Sequence, residues 1–354
     1  MRFSRPARIA LTLACWLGTA LVSAAPDVAP TPATLDLGIQ PAGQPVSMLS
    51  ETLRRDRLLQ EALSRAGWVL RLHPFAKGRD MVARWEAEDL DAGILGDMPT
   101  LDALAHHDRL ALALLKHTFS TVVSDRHCEL ADLKGHRIGS VFGSSAHYTL
   151  LEALATAGLG ERDIALLDMD IGAMPQALDE GRISAFSAWE PAPSIALQGH
   201  PERLAIYRGV SDDFLVVERA LTVREPEVVN QLLAAVARAF YWMRQDSAHL
   251  LAAARWSLDA SRAFAGSAPA PTLEQTAAMA QRDAVDVPSM PMLPQPGGVA
   301  MARMANKLAF LQALGKVAPD LSWERIGPRF DPQPLEEVLR QSVRYRVNEF
   351  DYAD

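Results

Sequence analysis

The sequence predicts an α/β protein in which mostly parallel sheets carry helices on both faces. Short apolar runs alternate along the chain with longer stretches in which Leu and Ala recur at helical spacing, a pattern typical of strand–helix–strand units. A hydrophobic content of 49% against 22% charged residues gives a sizeable core, and 354 residues correspond to about two domains. Because such sheets bind ligands beyond the carboxyl ends of their strands, the loops after predicted strands are the candidate sites.

Residues 1–24 have the pattern of a secretory signal peptide. Three arginines in the first eight residues precede the uncharged, mostly apolar run from Ile9 to Val22, and small residues lead up to Ala24. The run is shorter than the roughly 18–20 apolar residues that a membrane span needs. We therefore expect cleavage near Ala24 and export to the periplasm.

Charge and cysteine content narrow the classes of function. Loss of the three arginines with the signal peptide changes the formal net charge from −8 to −11, which disfavours nucleic acid as a partner. Cys15 lies inside the apolar run and is expected to be removed with it. Cys128 is then the single remaining cysteine, so no intramolecular disulfide is expected.

The first part of the mature chain predicts three strands and two helices. A strand ends at Gln40, and a later strand is followed by the loop Gly96-Asp97-Met98-Pro99. The predicted strands are Leu35–Ile39, Trp68–Leu72 and Asp91–Leu95, and the predicted helices are Ser47–Ala66 and Arg79–Glu88.

A second alternation follows an apolar run from Leu110 to Val123, which suits a long strand or a crossover. Its predicted strands are Ile138–Phe142, Asp163–Met169 and Ile183–Ala188, with helices after Ser145 and over Ala173–Glu180. Four positions match the first alternation at an offset of 93 residues, among them Asp97 with Glu190. This similarity indicates two related units, although two unrelated units of this type can agree by chance.

The segment Asp132–Leu154 predicts an anion site. Gly143, Ser144 and Ser145 join a predicted strand to a predicted helix, and the first N–H groups of a helix have no partners within it. The amides of Ser144 to Ala146 and the two Ser hydroxyls would bind an oxyanion without a buried cation. The alternative is an ordinary turn glycine and an ordinary N-cap.

Asp97 and Glu190 follow predicted strands in the two units. The default for such carboxylates is a solvated charge or a helix cap. If both face the cleft, they favour a solute with an amine, such as taurine, over a purely anionic one.

The C-terminal part is predicted to be mainly helical. A return strand is expected over Phe214–Val217 and a long helix over Glu225–Arg244. The Pro-, Ala- and Gly-rich segment Ala265–Gly298 is expected to be irregular apart from a helix at Leu273–Arg282. Closing helices are predicted for Met301–Leu314 and Pro334–Ser342.

In this order, the motifs resemble the solute-binding proteins of ABC importers, in the sulfonate, taurine and nitrate branch. The matching residues are Leu35–Gln40, Phe75 with Gly78, Asp91–Pro99, Asp132–His147 and Ala177–Pro191. The resemblance implies a two-lobed, periplasmic-binding-protein-like fold of type II that is hinged at crossover strands and closes on its ligand. Lobe one would be residues 34–116 plus 213–354, and lobe two residues 117–212.

The resemblance also implies ligand contacts from both lobes and the crossover. Trp189 and Phe214 would form apolar walls, although an aromatic at a strand end is also common in cores. The full set of expected contacts is Gln40, Gly96, Asp97, Met98, Ser144, Ser145, Trp189, Glu190 and Phe214.

Other classes of function remain open at this stage. The chain has no HExxH, GxSxG or GK[ST] motif, and His106 and His107 are adjacent rather than spaced for one metal. Cys128 beside His127 is a weak nucleophile signal, and an enzyme related to thiamine-pyrimidine synthesis would need Cys and His clusters that the sequence lacks. A binding module for a sensor protein would use the same cleft. The interpretation adopted is a monomeric, cofactor-free, non-enzymatic protein that delivers a small anionic or zwitterionic solute to an inner-membrane ABC permease.

Overall fold

The computed structural model describes residues 31–87, 90–126, 129–266 and 270–353. The predicted signal peptide with Cys15, and the His127-Cys128 pair, lie outside the described residues. Among the described residues, no helix has the length and apolarity needed to cross a membrane. The architecture below is that of residues 32–354, which form one unit.

Eight strands form one sheet with the order β2-β1-β3-β8-β4-β7-β5-β6. β1, β2 and β3 are parallel neighbours, as are β5, β6 and β7. We call these two groups, with their helices, the first half and the second half. The strands are β1 Ala33–Ile39, β2 Trp68–Pro74, β3 Ala92–Gly96, β4 Arg109–Ser124, β5 Arg137–Ser140, β6 Ala165–Asp168, β7 Ala185–Ala188 and β8 Leu204–Glu218.

Two long antiparallel strands join the halves. β4 has 16 residues and β8 has 15, and they pair along nearly their whole length. Near the middle of this ladder Lys116 is opposite Asp213 and His117 is opposite Asp212. The predicted return strand began only at Phe214, because the charged residues before it hid a strand whose partners are the basic side chains of β4.

Helices flank both halves, and fourteen α-helices lie within the described residues. Seven of them are the next α-helix after a strand, as the alternation predicted. They are α1 Val46–Arg55, α2 Arg57–Arg65, α3 Gly78–Glu86, α4 Asp97–His106, α5 Ser145–Thr156, α6 Met174–Asp179, α7 Ala192–Leu197, α8 Arg219–Arg224, α9 Pro226–Gln245, α10 Ser247–Ala265, α11 Leu273–Ala280, α12 Val299–Ala313, α13 Trp323–Ile326 and α14 Gln333–Arg340.

The prediction of one helix over residues 47–66 was wrong, because the chain breaks between α1 and α2 at Asp56. The Asp56 carboxylate accepts a hydrogen bond from the Leu59 amide at 2.9 Å and pairs with Nε of Arg238 at 2.8 Å. Both side chains are about 1% exposed. A buried carboxylate needs such partners, and the N-cap position of a second helix supplies one of them.

Apolar clusters lie on both faces of the second half. Phe186 belongs to one cluster and its neighbour Ala185 to another, since successive strand residues point to opposite faces. The first half and the C-terminal helices share the largest cluster. Helices on both faces of a mostly parallel sheet, as the sequence predicted, are therefore confirmed.

The Pro-rich segment contains the predicted helix, as α11, followed by a short π-helix at Gln281–Val285, and its other described residues after Ala265 are irregular. After α11 it packs against the crossover, where the Leu114 amide donates to the carbonyl of Pro291 at 2.9 Å. Arg244 of α9 donates to carbonyl groups of the same segment at Val285, Val287 and Met290. Because its backbone groups have partners on β4 and α9, the segment supports the crossover strands.

Candidate ligand-binding site

A cavity of about 80 Å³ lies where the carboxyl ends of the parallel strands of both halves meet the crossover. The loops after β1, β3, β5 and β7 line it, as expected for a sheet of this kind. Its lining includes Gln40, Gly43, Lys77, Gly78, Arg79, Gly96, Met98, Pro99 and Asp102 from the first half. It also includes Val141 to Ser145 and Trp189 from the second half, Lys116, Ser211 and Asp213 from the crossover, and Leu311 and Lys316 from the C-terminal part.

The N-terminus of α5 opens into this cavity. Ser144 is its N-cap, with extended backbone angles, and the Ser144 hydroxyl accepts a hydrogen bond from the His147 amide at 3.3 Å. The described residues supply no acceptor for the amides of Ser145 and Ala146, the first two of the helix. Two backbone donors at the positive end of a helix dipole are thus available to an anion.

Gly143 fixes the approach of the chain to this helix. Its φ of 72° lies in the left-handed region, and a Cβ there would come within 2.6 Å of Cε of Lys316. The positive φ favours glycine at this position, whereas the flexible Lys316 side chain could move away from a Cβ. The Gly143 amide donates to Nδ1 of His147 at 3.1 Å, so the imidazole is neutral with its proton on Nε2.

His147 supports the turn from below the helix. It is 3% exposed, and its ring stacks on Phe142 and meets the edge of Phe310. Burial lowers the pKa of His147, more than nearby Glu161 and Asp168 raise it. The neutral form that the Gly143 hydrogen bond requires is therefore favoured.

Lysines surround the cavity, which sequence reasoning missed. Lys116 is 3% exposed and pairs with Asp213 at 3.0 Å, and burial raises the pKa of Asp213 despite that lysine. Lys316 lies across Gly143 from the loop after α12. Lys116 could have been found from the sequence, because it is the single Lys, Arg, Asp or Glu in the run from Leu110 to Val123.

Asp97 is fully buried and does not line the cavity. Its carboxylate accepts hydrogen bonds from the Met98 amide at 2.8 Å and the Asp212 amide at 3.2 Å. It also pairs with Nζ of Lys307 and accepts a hydrogen bond from the hydroxyl of Ser145. This carboxylate therefore joins α4, α5, α12 and β8 and is fully coordinated by protein groups.

Glu190 also has protein partners instead of facing the cavity. It is 8% exposed, accepts a hydrogen bond from the Ser194 amide at 3.2 Å and lies 3.8 Å from Arg282. Asp97 and Glu190 thus accept hydrogen bonds from helix amides and pair with basic side chains, although neither residue is the N-cap of its helix. The amine role that required both to face the cleft has no support in this geometry.

Phe214 lies in the core and not at the cavity. It is fully buried and packs edge-to-face on Phe330, with ring centroids 5.3 Å apart. Its neighbour Asp213 lines the cavity, and successive residues of a strand point to opposite faces. The alternation of side chains along β8 therefore places Phe214 on the face of the strand that points away from the cavity.

Six of the predicted contacts come together at the cavity: Gln40, Gly96, Met98, Ser144, Ser145 and Trp189. The two serines differ from the expectation in one respect, because both hydroxyl protons already have protein acceptors. Ser144 donates to the Val141 carbonyl at 2.6 Å, and Ser145 donates to Asp97. The donors at this helix start without a protein acceptor among the described residues are therefore its amides and not its hydroxyls.

Among the described residues, no group of three or more His, Cys, Asp or Glu side chains is arranged to bind a metal ion. The groups that line this site are backbone amides, lysines and Arg79, the carboxylates of Asp102 and Asp213, uncharged polar side chains and apolar walls.

A model of the NMT1-like family matches residues 59–257, more than half of the 354 residues. A putative aliphatic sulfonates-binding protein of Escherichia coli K12 is 30% identical over 140 residues, which are 38% of this chain and 43% of that protein. The taurine-binding periplasmic protein of the same strain is 26% identical over 166 residues, 44% of this chain and 52% of that protein. The matches span about half the length of these curated relatives.

Solved structures share the fold over most of the chain. The alkanesulfonate-binding protein SsuA from Xanthomonas axonopodis pv. citri, bound to MOPS, has a TM-score of 0.62 at 24% identity, covering 86% of this chain and 99% of its own. The aliphatic sulphonate-binding protein SsuA from Escherichia coli has a TM-score of 0.63 at 20% identity, with the same coverage. The desulfurization enzyme DSZB has a TM-score of 0.57 at 17% identity, covering 87% and 99%. The two-lobed fold is confirmed, and it occurs in binding proteins and in an enzyme.

Proposed function

The chain belongs to the NMT1-like family, and we propose that it is an extracytoplasmic solute-binding protein for a small organic anion, a sulfonate or a related solute. The relatives named as sulfonate-binding and taurine-binding proteins support this class of ligand. The solute would occupy the cavity between the two halves, with its negative group at the N-terminus of α5.

The open N-terminus of α5 is the observation that carries this proposal. The two amides at this helix start have no acceptor among the described residues, and Ser145, which carries one of them, lines the cavity together with Lys116 and Lys316. Fixed dipoles and nearby cations stabilise an anion without the reorganisation that water requires. A sulfonate presents three oxygens to such donors, and its tetrahedral head matches a site with donors on several sides.

The remaining walls suit a hydrocarbon tail. Val141, Trp189 and Leu311 line the same cavity as the charged groups. Ligand sites of this kind combine a few directed polar groups with apolar and aromatic walls. A nitrate ion would leave these apolar walls unused, so an organic anion fits the cavity better.

We propose that the hinge lies at the middle of the β4–β8 ladder, with lobe one as residues 34–116 plus 213–354 and lobe two as residues 117–212. The paired positions Lys116–Asp213 and His117–Asp212 mark this boundary. Contacts that join the halves include Ser145 to Asp97, Lys77 to Asp170, and Gln44 and Arg282 to Glu190. Opening for ligand entry would break these contacts while the crossover strands stay paired.

Export to the periplasm and delivery to an inner-membrane ABC permease complete the proposed role. The periplasmic relative supports this location, and a monomer would present one closed cleft to the permease. Neither catalysis nor a cofactor is part of the proposal.

A thermal-shift and calorimetric screen of the mature protein tests this function. The ligands would be methanesulfonate, ethanesulfonate, taurine, nitrate and a neutral sulfone of the same size as control. A ligand at 100 times its dissociation constant adds about 2.7 kcal/mol to the free energy of unfolding. We expect stabilisation by the organic sulfonates and none by the sulfone, and a lack of response to every anion and zwitterion would contradict the proposal.

A further inference from the structure

A second cavity of about 240 Å³ lies next to the first and is lined mainly by apolar side chains. The same three loops line both cavities at neighbouring positions. Gly43, Gly78 and Trp189 face the first cavity, whereas Ala42, Ala76 and Pro191 face the second. The two cavities are therefore adjacent chambers, separated only by the thickness of these loops.

Lys77 lines both chambers and is the side chain that divides them. It pairs with Asp170, which also lines the second chamber and is 75% exposed. An ion pair with so exposed a partner contributes little, because water screens it and competes for both groups. Displacement of Lys77 toward solvent would thus join the chambers at small cost.

The second chamber matches a hydrocarbon occupant. Its walls include Ile171 and Pro175 from the second half, Ile195 from α7, and Phe264 and Pro271 from the C-terminal part. Its ionic side chains have partners of their own, since Arg262 lies 3.4 Å from Asp259 on the same helix and Lys77 pairs with Asp170. An apolar group gains most from entering such a space, because it leaves water without displacing a polar partner.

We propose that the second chamber binds the apolar tail of the solute whose anionic head lies at the N-terminus of α5. The inference rests on the proposed function and narrows it to organic anions with a tail long enough to pass Lys77. Phe264 and Pro271 lie beyond residue 257, where the family match ends. The chamber is thus completed by a part of this chain outside that match.

Titration calorimetry with unbranched alkanesulfonates of one to eight carbons tests the proposal. Burial of each methylene in an apolar chamber raises affinity about fourfold. We expect the gain to appear once the tail reaches past Lys77 and to continue for several carbons. A dissociation constant that does not change with chain length would overturn the inference while leaving the proposed function intact.

Gly172→Trp blocks the chamber without straining the chain. Gly172 lines the second chamber only, and a Cβ there has no heavy atom within 4 Å. Gly160→Trp is the matched control, because Gly160 has the same free space and lines neither chamber. The expected result is wild-type affinity for methanesulfonate in both variants, with the chain-length gain lost only in Gly172→Trp.

Phe264→Asp provides a second test at a side chain that is 40% exposed, where substitution leaves the core intact. The substitution should weaken the binding of octanesulfonate and leave the affinity for methanesulfonate unchanged. A full chain-length gain in both Gly172→Trp and Phe264→Asp would overturn the tail site. Failure of every sulfonate to bind the wild type would overturn the proposed function, and this inference with it.

Discussion

The N-termini of α4 and α5 face the same cavity from opposite halves. They differ in whether their first amides have hydrogen-bond acceptors. Each helix follows a parallel strand directly, β3 for α4 and β5 for α5. In α4 the carboxylate of Asp97 accepts the hydrogen bond of the Met98 amide. In α5 the amides of Ser145 and Ala146 have no acceptor among the described residues. One helix start is neutralised by its own side chain, and the other is left for a ligand.

The difference explains how a buried carboxylate can lie beside an anion site. Lys307 and the Ser145 hydroxyl both donate hydrogen bonds to Asp97. The negative charge of Asp97 is therefore compensated by groups in direct contact with it. The same contacts position the first turn of α5. The occupied helix start thus supports the geometry of the open one.

The largest expected effect is on stability, at the occupied helix start. Asp97→Asn leaves Lys307, which is 2% exposed, as a buried charge without its counterion. Breaking such a pair by removing one partner costs about 3–5 kcal/mol. Denaturant unfolding monitored by circular dichroism measures the loss.

Asp102→Asn is the control for this substitution. Asp102 is on the same helix, but its side chain is 30% exposed and pairs with His106. Its replacement should change the free energy of unfolding by no more than about 0.5 kcal/mol. Equal losses for the two variants would show that the Asp97–Lys307 pair has no special role.

The next effect is on affinity, at the open helix start. Ser144→Asp keeps an N-cap of equal quality but adds a carboxylate to the lining of the cavity. Like charges about 6 Å apart at an effective dielectric of about 20 repel by about 3 kcal/mol. Ethanesulfonate should therefore bind roughly 100-fold more weakly, as measured by calorimetry.

Ser144→Asn separates charge from shape, because Asn is an equally good N-cap without charge. We expect its affinity for ethanesulfonate to stay within a few-fold of wild type. Similar losses in the Asp and Asn variants would mean that the hydroxyl, and not the field at the helix start, binds the anion.

The smallest effect concerns His147, which supports the turn before α5 and has no counterpart at α4. Its pKa is lowered by burial, so the unfolded chain takes up a proton near its ordinary pKa of about 6.5 while the folded protein does not. Stability linked to His147 is thus present above pH ~6.5 and is lost as pH falls from there toward the folded pKa, by at most about 1.4 kcal/mol per unit.

His147→Gln removes this titration and retains an acceptor for the Gly143 amide. The free energy of unfolding is measured for wild type and variant from pH 5 to 8. As the pH falls, the variant should become more stable relative to the wild type. A difference that is constant over this range would contradict the assignment.

Local patterns in the sequence predicted the elements of the fold and the position of the site. The strand, turn and helix around Gly143 follow from periodicity, glycine placement and the N-cap. The cavity lies at the strand ends where such sheets bind ligands.

What local patterns did not predict depends on contacts between distant parts of the chain. Lys307 lies 210 residues from Asp97, and Lys316 meets Gly143 from the loop after α12. The prediction missed the first ten residues of β8, whose pairing partners on β4 are far away in sequence. Whether a carboxylate caps a helix or faces a cleft is decided by such long-range partners.

Amide chemical shifts test the central claim most directly. In a ¹⁵N–¹H titration with ethanesulfonate, we predict downfield shifts of the Ser145 and Ala146 amide protons as hydrogen bonds to the anion form. The Met98 amide, which already donates to Asp97, should shift little. Saturable binding that leaves Ser145 and Ala146 unchanged, or that moves Met98 instead, would contradict the account.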